Sequence, residues 1–227
     1  MEDDRDITEC RSALYGLLAN VYLRIPEGET LSVHWDPALR LLEFPQKGTE
    51  KPLQDVQEGL NLIKDYLSTE NPPAEERLLN LSRDWTRLFR GVDVKGPLPP
   101  YESLYRTGRT QKEPVRQINR LFSGMGIRIP EEWHQPPDYI GVELDFMRLL
   151  CAKEREARKK TETDALHGVL TAERSFLEHH LALWAPVFCK KMMEQAREGF
   201  YRGIARLTRG LVEYDRIYLR NILSKTD

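Results

Sequence analysis

Carboxylates and aromatic rings are concentrated in two short stretches of this chain, PPYESLY at Pro99–Tyr105 and PPDYIGVELDFM at Pro136–Met147. Placed at about 100° per residue, the helix that the second stretch begins sets Gly141, Asp145 and Arg148 on one narrow side. Ile140, Val142, Leu144, Phe146, Met147, Leu149, Leu150 and Cys151 fill the rest of its circumference. Glu143 falls inside that apolar arc, between Leu150 and Met147, where a carboxylate is costly unless something pairs with it. A structural partner is the favoured reading: an internal arginine, a tyrosine hydroxyl or the free N–H groups of another helix start. A cation arriving on a ligand is the sharper alternative. Asp138 stands where an N-cap belongs, able to accept a backbone N–H at the start of its helix. In PPYESLY, Tyr101 and Tyr105 at i, i+4 would share one helical face, their phenolic tips able to donate or accept hydrogen bonds. They either plug a crevice between helices or wall a groove for a peptide, and periodicity alone does not separate the two.

Signatures of catalysis are missing: the chain has no GxGxxG, no GxxxxGK, no HExxH and no GxSxG. His179 and His180 are adjacent, so on a helix they point about 100° apart and do not face one metal together. They read as solvated or helix-packing residues. Cys10, Cys151 and Cys189 lie far apart in no metal-ligand spacing, and Cys189 has no local partner that would make it a nucleophile. No metal, no cofactor and no enzymatic activity are expected. A formal charge of −2 supplies no overall basic field for nucleic acid or an anionic membrane surface. An odd cysteine count, an acidic N-terminus and the absence of an apolar run near eighteen residues point to a reducing cytoplasm with no membrane insertion.

The elements that must position these residues are helices throughout. Apolar spacing predicts one from Ile7 to Ile25, ended by Pro26 and Gly28, a second after Ser32 through Trp35, Leu39 and Leu42, and a third after Thr49 through Leu67. Asn71-Pro72-Pro73 breaks the pattern, and a helix through Leu78, Leu81, Trp85, Leu88 and Phe89 stops at Gly91. Pro114 opens another, and longer helices start near Asp138, Asp164, Pro186 and Gly199. No sustained period-2 alternation and no repeat is present. The expectation is an all-α, bundle-like single domain over 1–227 with roughly ten helices and a weakest seam at 91–100.

The combination of PPYESLY with PPDYIGVELDFM resembles the TorD/DmsD/NarJ family of cytoplasmic molybdoenzyme chaperones, through Tyr101, Ser103, Tyr105, Asp138, Ile140, Glu143, Leu144, Phe146 and Met147. The family commonly has histidine after the aspartate, whereas this chain has Tyr139, so a role resting on imidazole titration is not carried over. HLALWAPVF, GFYRGIARL and RDWTRLFRG are similar to the family's later helices and to its helix before the linker. The resemblance implies a chaperone that binds the twin-arginine leader, or another segment, of a molybdopterin oxidoreductase catalytic subunit while its cofactor is inserted, holding back export. It also implies a monomer or a dimer swapped across the 91–100 hinge. A leader presents arginines and then an apolar stretch, so its receptor needs carboxylates beside an aromatic groove. Asp138, Glu102 and Glu143 are candidates for the first; Tyr101, Tyr105, Tyr139, Trp85 and Phe89 for the second, with Ser103 between them. The main rival is a helical adaptor that recognises another protein segment without preferring paired arginines. A small helical enzyme ranks below both.

Overall fold

In the computed structural model, residues 2–28, 51–92, 96–110, 112–128, 130 and 133–224 are described. Nine α-helices run α1 Glu2–Leu23, α2 Lys51–Ser68, α3 Ala74–Phe89, α4 Glu102–Thr107, α5 Lys112–Gly124, α6 Ile140–Lys160, α7 Thr163–Phe176, α8 Ala182–Gln195 and α9 Gly199–Leu223. The expected helix after Ser32 lies outside the described residues. Among those described there is no strand, only a bridge between Tyr101 and Tyr139.

Two antiparallel pairings organise the bundle, each enforced by small residues. On α2, Gly59 faces Gly203 and Leu207 of α9, and further along Gly210 faces Pro52 and Val56. A methyl group on any of these glycines would meet backbone at under 3.0 Å. The two helices therefore approach backbone to backbone, which only glycine permits. The pairing of α1 with α6 has Gly141 under Leu23 and Ala19 and Gly16 under the stem of Arg148. That explains the narrow Gly141–Asp145–Arg148 side, whose arginine pairs with Asp145. Leu14, Leu18, Tyr22, Val142, Phe146, Leu150, Leu207 and Leu211 are all buried in the shared core.

Pro186 does not start a helix. The chain continues from α7 through a π-helical turn, Leu177–Leu181, directly into α8, and Pro186 lies inside α8. Proline removes one i→i−4 bond, and the wider turn just upstream, with the Ala182 N–H shared between the His180 and Leu177 carbonyls, accommodates it. Among the described residues the nine helices thus form eight separate stretches, against roughly ten expected for the whole chain. Asp84, in the RDWTRLFRG segment, accepts the N–H groups of Arg197 and Glu198 at 2.9 and 3.0 Å and so caps α9 from another helix.

Under α1 lies a fully buried ion cluster. Arg11 donates to Asp215 at 2.8 Å, to Glu154 at 2.7 Å and to Glu173, while Tyr15 also donates to Asp215 and Arg158 pairs with Glu154. Three carboxylates against two guanidinium groups leave one excess negative charge, and burial above all pushes Glu173 up to about 8, so it holds a proton at neutral pH.

Candidate functional site

The two stretches singled out by the sequence are stitched to each other. Pro99, Pro100, Pro136 and Pro137 hold their segments extended. Glu102 N–H then donates to the Asp138 carbonyl at 2.8 Å and Ile140 N–H to the Pro100 carbonyl at 3.0 Å. This antiparallel bridge puts the Tyr101 and Tyr139 rings 5.3 Å apart, and α4 and α6 each begin one residue after it. Tyr101 is thus an extended residue before α4 and does not share a helical face with Tyr105.

Asp138 caps, but not its own helix. Its carboxylate accepts Ser103 Oγ–H at 2.7 Å and Ser103 N–H at 3.3 Å, satisfying the first turn of α4 from across the bridge. The residue at the start of α6 is Tyr139, with no side-chain cap. Asp138 is buried, and loss of water holds its carboxyl above the ordinary range despite the Ser103 bonds.

Behind this bridge sit Glu102 and Glu143, both fully buried. Glu102 binds His180 Nδ1 at 2.9 Å through one oxygen and Arg106 Nη1 at 2.5 Å through the other. Glu143 accepts the Trp184 indole N–H at 3.2 Å on Oε2, while its Oε1 has no partner. Burial, and then the charge of Glu102, push the Glu143 carboxyl well above its ordinary value. The partner that the sequence demanded for Glu143 is therefore an indole, and only half of the carboxyl is satisfied.

His180 is the residue that sequence reasoning set aside. The π turn directs it inward, stacked on Phe176 at 5.3 Å and bonded to Glu102, while His179 stays outside on the Ser175 carbonyl. His180 and Trp184 at i, i+4 in HLALWAP were the available signal, since one polar pair on an otherwise apolar face asks for buried partners.

The aromatic candidates divide. Tyr105 is half-buried, against Trp184 at 5.5 Å and Phe188 at 5.7 Å, with Lys191 over its ring at 5.5 Å and its hydroxyl on the Leu98 carbonyl. Tyr101 is also partly open and donates to Gln135 at 3.1 Å. Tyr139 is buried, its hydroxyl on the Tyr22 carbonyl at 2.7 Å. Trp85 and Phe89 lie inside the core of the bundle, Trp85 bonded to the Val21 carbonyl and Phe89 packed on Tyr22 and Phe188. Leu98, whose carbonyl holds the Tyr105 hydroxyl, is exposed, and so are Leu183 and Val187 of α8, each one residue before a ring that packs on Tyr105.

Cys151, Glu154 and Glu173 bring donor atoms within 4.8 Å of one another, the spacing of a metal site. They do not fit one: Arg11 is hydrogen-bonded to both carboxylates, a cation already where a metal would sit, and burial keeps the Cys151 thiol protonated.

Residues 49–190 match the profile of the family described as nitrate reductase delta subunit. The chaperone protein TorD of Vibrio parahaemolyticus is 23% identical over 96% of this chain and 99% of its own length. That of Vibrio atlanticus is 26% identical over the same shares. The crystal structure of a putative redox enzyme maturation protein from Archaeoglobus fulgidus aligns with a TM-score of 0.50 at 20% identity, covering 89% of this chain and 93% of that one, and so shares the fold. No helix among the described residues is long and apolar enough to cross a membrane. With its two stitched motifs inside the matched region, the chain belongs to the nitrate reductase delta subunit family, the TorD/DmsD/NarJ group that those motifs resemble.

Proposed function

We propose that the protein is a non-enzymatic maturation chaperone in the cytoplasm, which binds the twin-arginine leader of a molybdopterin oxidoreductase subunit and delays its export until the cofactor is in place. The observation that carries this reading is the union of two features a leader requires at one place. Glu102, the first residue of the six-residue α4, and Glu143 on α6 supply buried carboxyl groups, and Tyr105 of α4, with exposed Leu98 at its hydroxyl and Trp184 and Phe188 at its ring, supplies an apolar flank. Arginines are recognised by the first and the leader's apolar stretch by the second. Asp138, Ser103, Tyr101 and Tyr139 act as the frame that holds α4 in place.

Because Glu102 and Glu143 are buried, leader binding requires α4 to shift against what holds it: the bridge, the Ser103–Asp138 bonds, the Glu102–His180 bond and the packing of Tyr105 on Trp184 and Phe188. The segment before it begins at Gly91, whose φ of 65° only glycine adopts easily and which packs against Pro99. We assign the hinge to this 91–100 segment, of which 93–95 lie outside the described residues. Monomer and hinge-swapped dimer are the two forms it permits. Calorimetric titration with a leader peptide, beside a control with both arginines replaced by glutamine, tests the reading. Saturable binding that weakens strongly in the control is expected; binding of neither peptide by folded protein refutes leader recognition.

A further inference from the structure

The Glu102 carboxylate of α4 already holds a guanidinium from its own helix. Arg106, in the last turn of α4, donates to Glu102 and reaches the His179 carbonyl at 3.5 Å; its side chain is 35% exposed while that of Glu102 is 0%. Among the described residues it is the one arginine ion-paired with Glu102, Asp138 or Glu143. Directly behind it, the fully buried Glu143 has an oxygen without a partner. Both Glu102 oxygens and Glu143 Oε2 are taken, by Arg106, His180 and Trp184, and Glu143 Oε1 is left for a second donor. The helix that carries Arg106 ends two residues later at Gly108, in the left-handed conformation at φ 73°, and a helix of six residues has little stability of its own.

We infer that Arg106 is a resident stand-in for an arginine of the bound peptide, and that binding exchanges one guanidinium for another at Glu102, with Glu143 as the second carboxylate. This rests on the leader-binding reading above. The physical case is that a buried carboxylate left unpaired in the free protein is costly, so a built-in guanidinium keeps the empty site folded. The same fork geometry that suits Arg106 selects arginine over lysine in the ligand. The consequence is competition, because apparent affinity falls by the fraction of molecules in which the resident group occupies the site.

The test uses the full chain as wild type, Arg106→Gln and Arg106→Lys, each titrated with the twin-arginine peptide and its di-glutamine control. Arg106→Gln is expected to bind the twin-arginine peptide roughly tenfold more tightly, with the control unchanged and Arg106→Lys in between. If wild type prefers the twin-arginine peptide but Arg106→Gln binds it equally or less tightly, the stand-in is refuted and leader recognition survives. If no form binds either peptide, leader recognition fails and takes this inference with it. Should Arg106→Gln fail to fold, the side-chain Nε–H resonance of Arg106 in wild type decides. Saturation with peptide is expected to move it to the position of a free arginine, and an unmoved resonance overturns the exchange.

Discussion

Glu173→Gln tests the electrostatics of the core without touching the site. Glu173 is fully buried, donated to by Arg11 on one oxygen and unpartnered on the other, and is pushed up to about 8 from an ordinary 4.5. For an acid raised on folding, the unfolded chain releases its proton first, so stability falls as pH rises from about 4.5 to about 8. The slope is about 1.4 kcal/mol per pH unit, on the order of 4–5 kcal/mol over the whole window. Glutamine cannot release that proton, and its oxygen still accepts from Arg11. The remaining Asp215 and Glu154 then balance Arg11 and Arg158. Urea unfolding followed by helical circular dichroism at pH 5, 6.5 and 8 measures the difference. The variant is expected to be within about 1 kcal/mol of wild type at pH 5 and more stable by several kcal/mol at pH 8. A variant that is less stable by about 3 kcal/mol or more at all three pH values, with a profile parallel to wild type, would refute the argument. It would mean that Glu173 is ionised in the fold and that a buried ion pair has been broken.

Further outcomes follow from the same geometry. Gly203→Ala places a methyl 2.7 Å from Ile63 and 2.8 Å from the Gly59 carbonyl, so thermal unfolding should show a loss of about 1–3 kcal/mol. Gly168→Ala, with nothing within 4 Å in the helix α7, should gain about 0.5–1 kcal/mol and serves as the control. Asp138→Ala removes the one oxygen that accepts both Ser103 N–H and Ser103 Oγ–H and should cost about 1–3 kcal/mol in chemical unfolding, together with much weaker leader binding by calorimetry. Glu143→Gln keeps an acceptor for the Trp184 indole N–H and should shift stability by less than about 1 kcal/mol while weakening the arginine-bearing peptide about tenfold. Glu143→Ala should instead lose about 1–3 kcal/mol by stranding the Trp184 indole N–H. Equal melting temperature with lost binding for Glu143→Ala would reverse the structural weighting given to that residue.

Local patterns decided most of the helices, because an amphipathic period of 3.6 and proline or glycine stops act over neighbouring residues. The segments through Leu14 and Leu18, through Trp85 and Phe89 and through the Gly199 start lie where the spacing puts them. The anomaly of Glu143 was also legible, since a carboxylate in an apolar arc needs a partner whatever the fold. The pairing of PPYESLY with PPDYIGVELDFM was visible as a resemblance. Identity of partners was not. That Asp138 caps α4 and not α6, that Glu143 meets an indole and that His180 turns in to Glu102 depend on residues 35, 41 and 78 positions apart. So does the burial of Arg11 among Asp215, Glu154 and Glu173, which on α1 alone is one more charge on a helix. The π turn escaped because it is one extra residue in a helical pattern, and the proline just after it looked like a start. Sequence spacing fixes which residues share a face of one helix, as Glu102 and Arg106 do, but only the packing of helices sets which faces meet, and the bonds of Asp138, Glu143 and His180 all cross between elements.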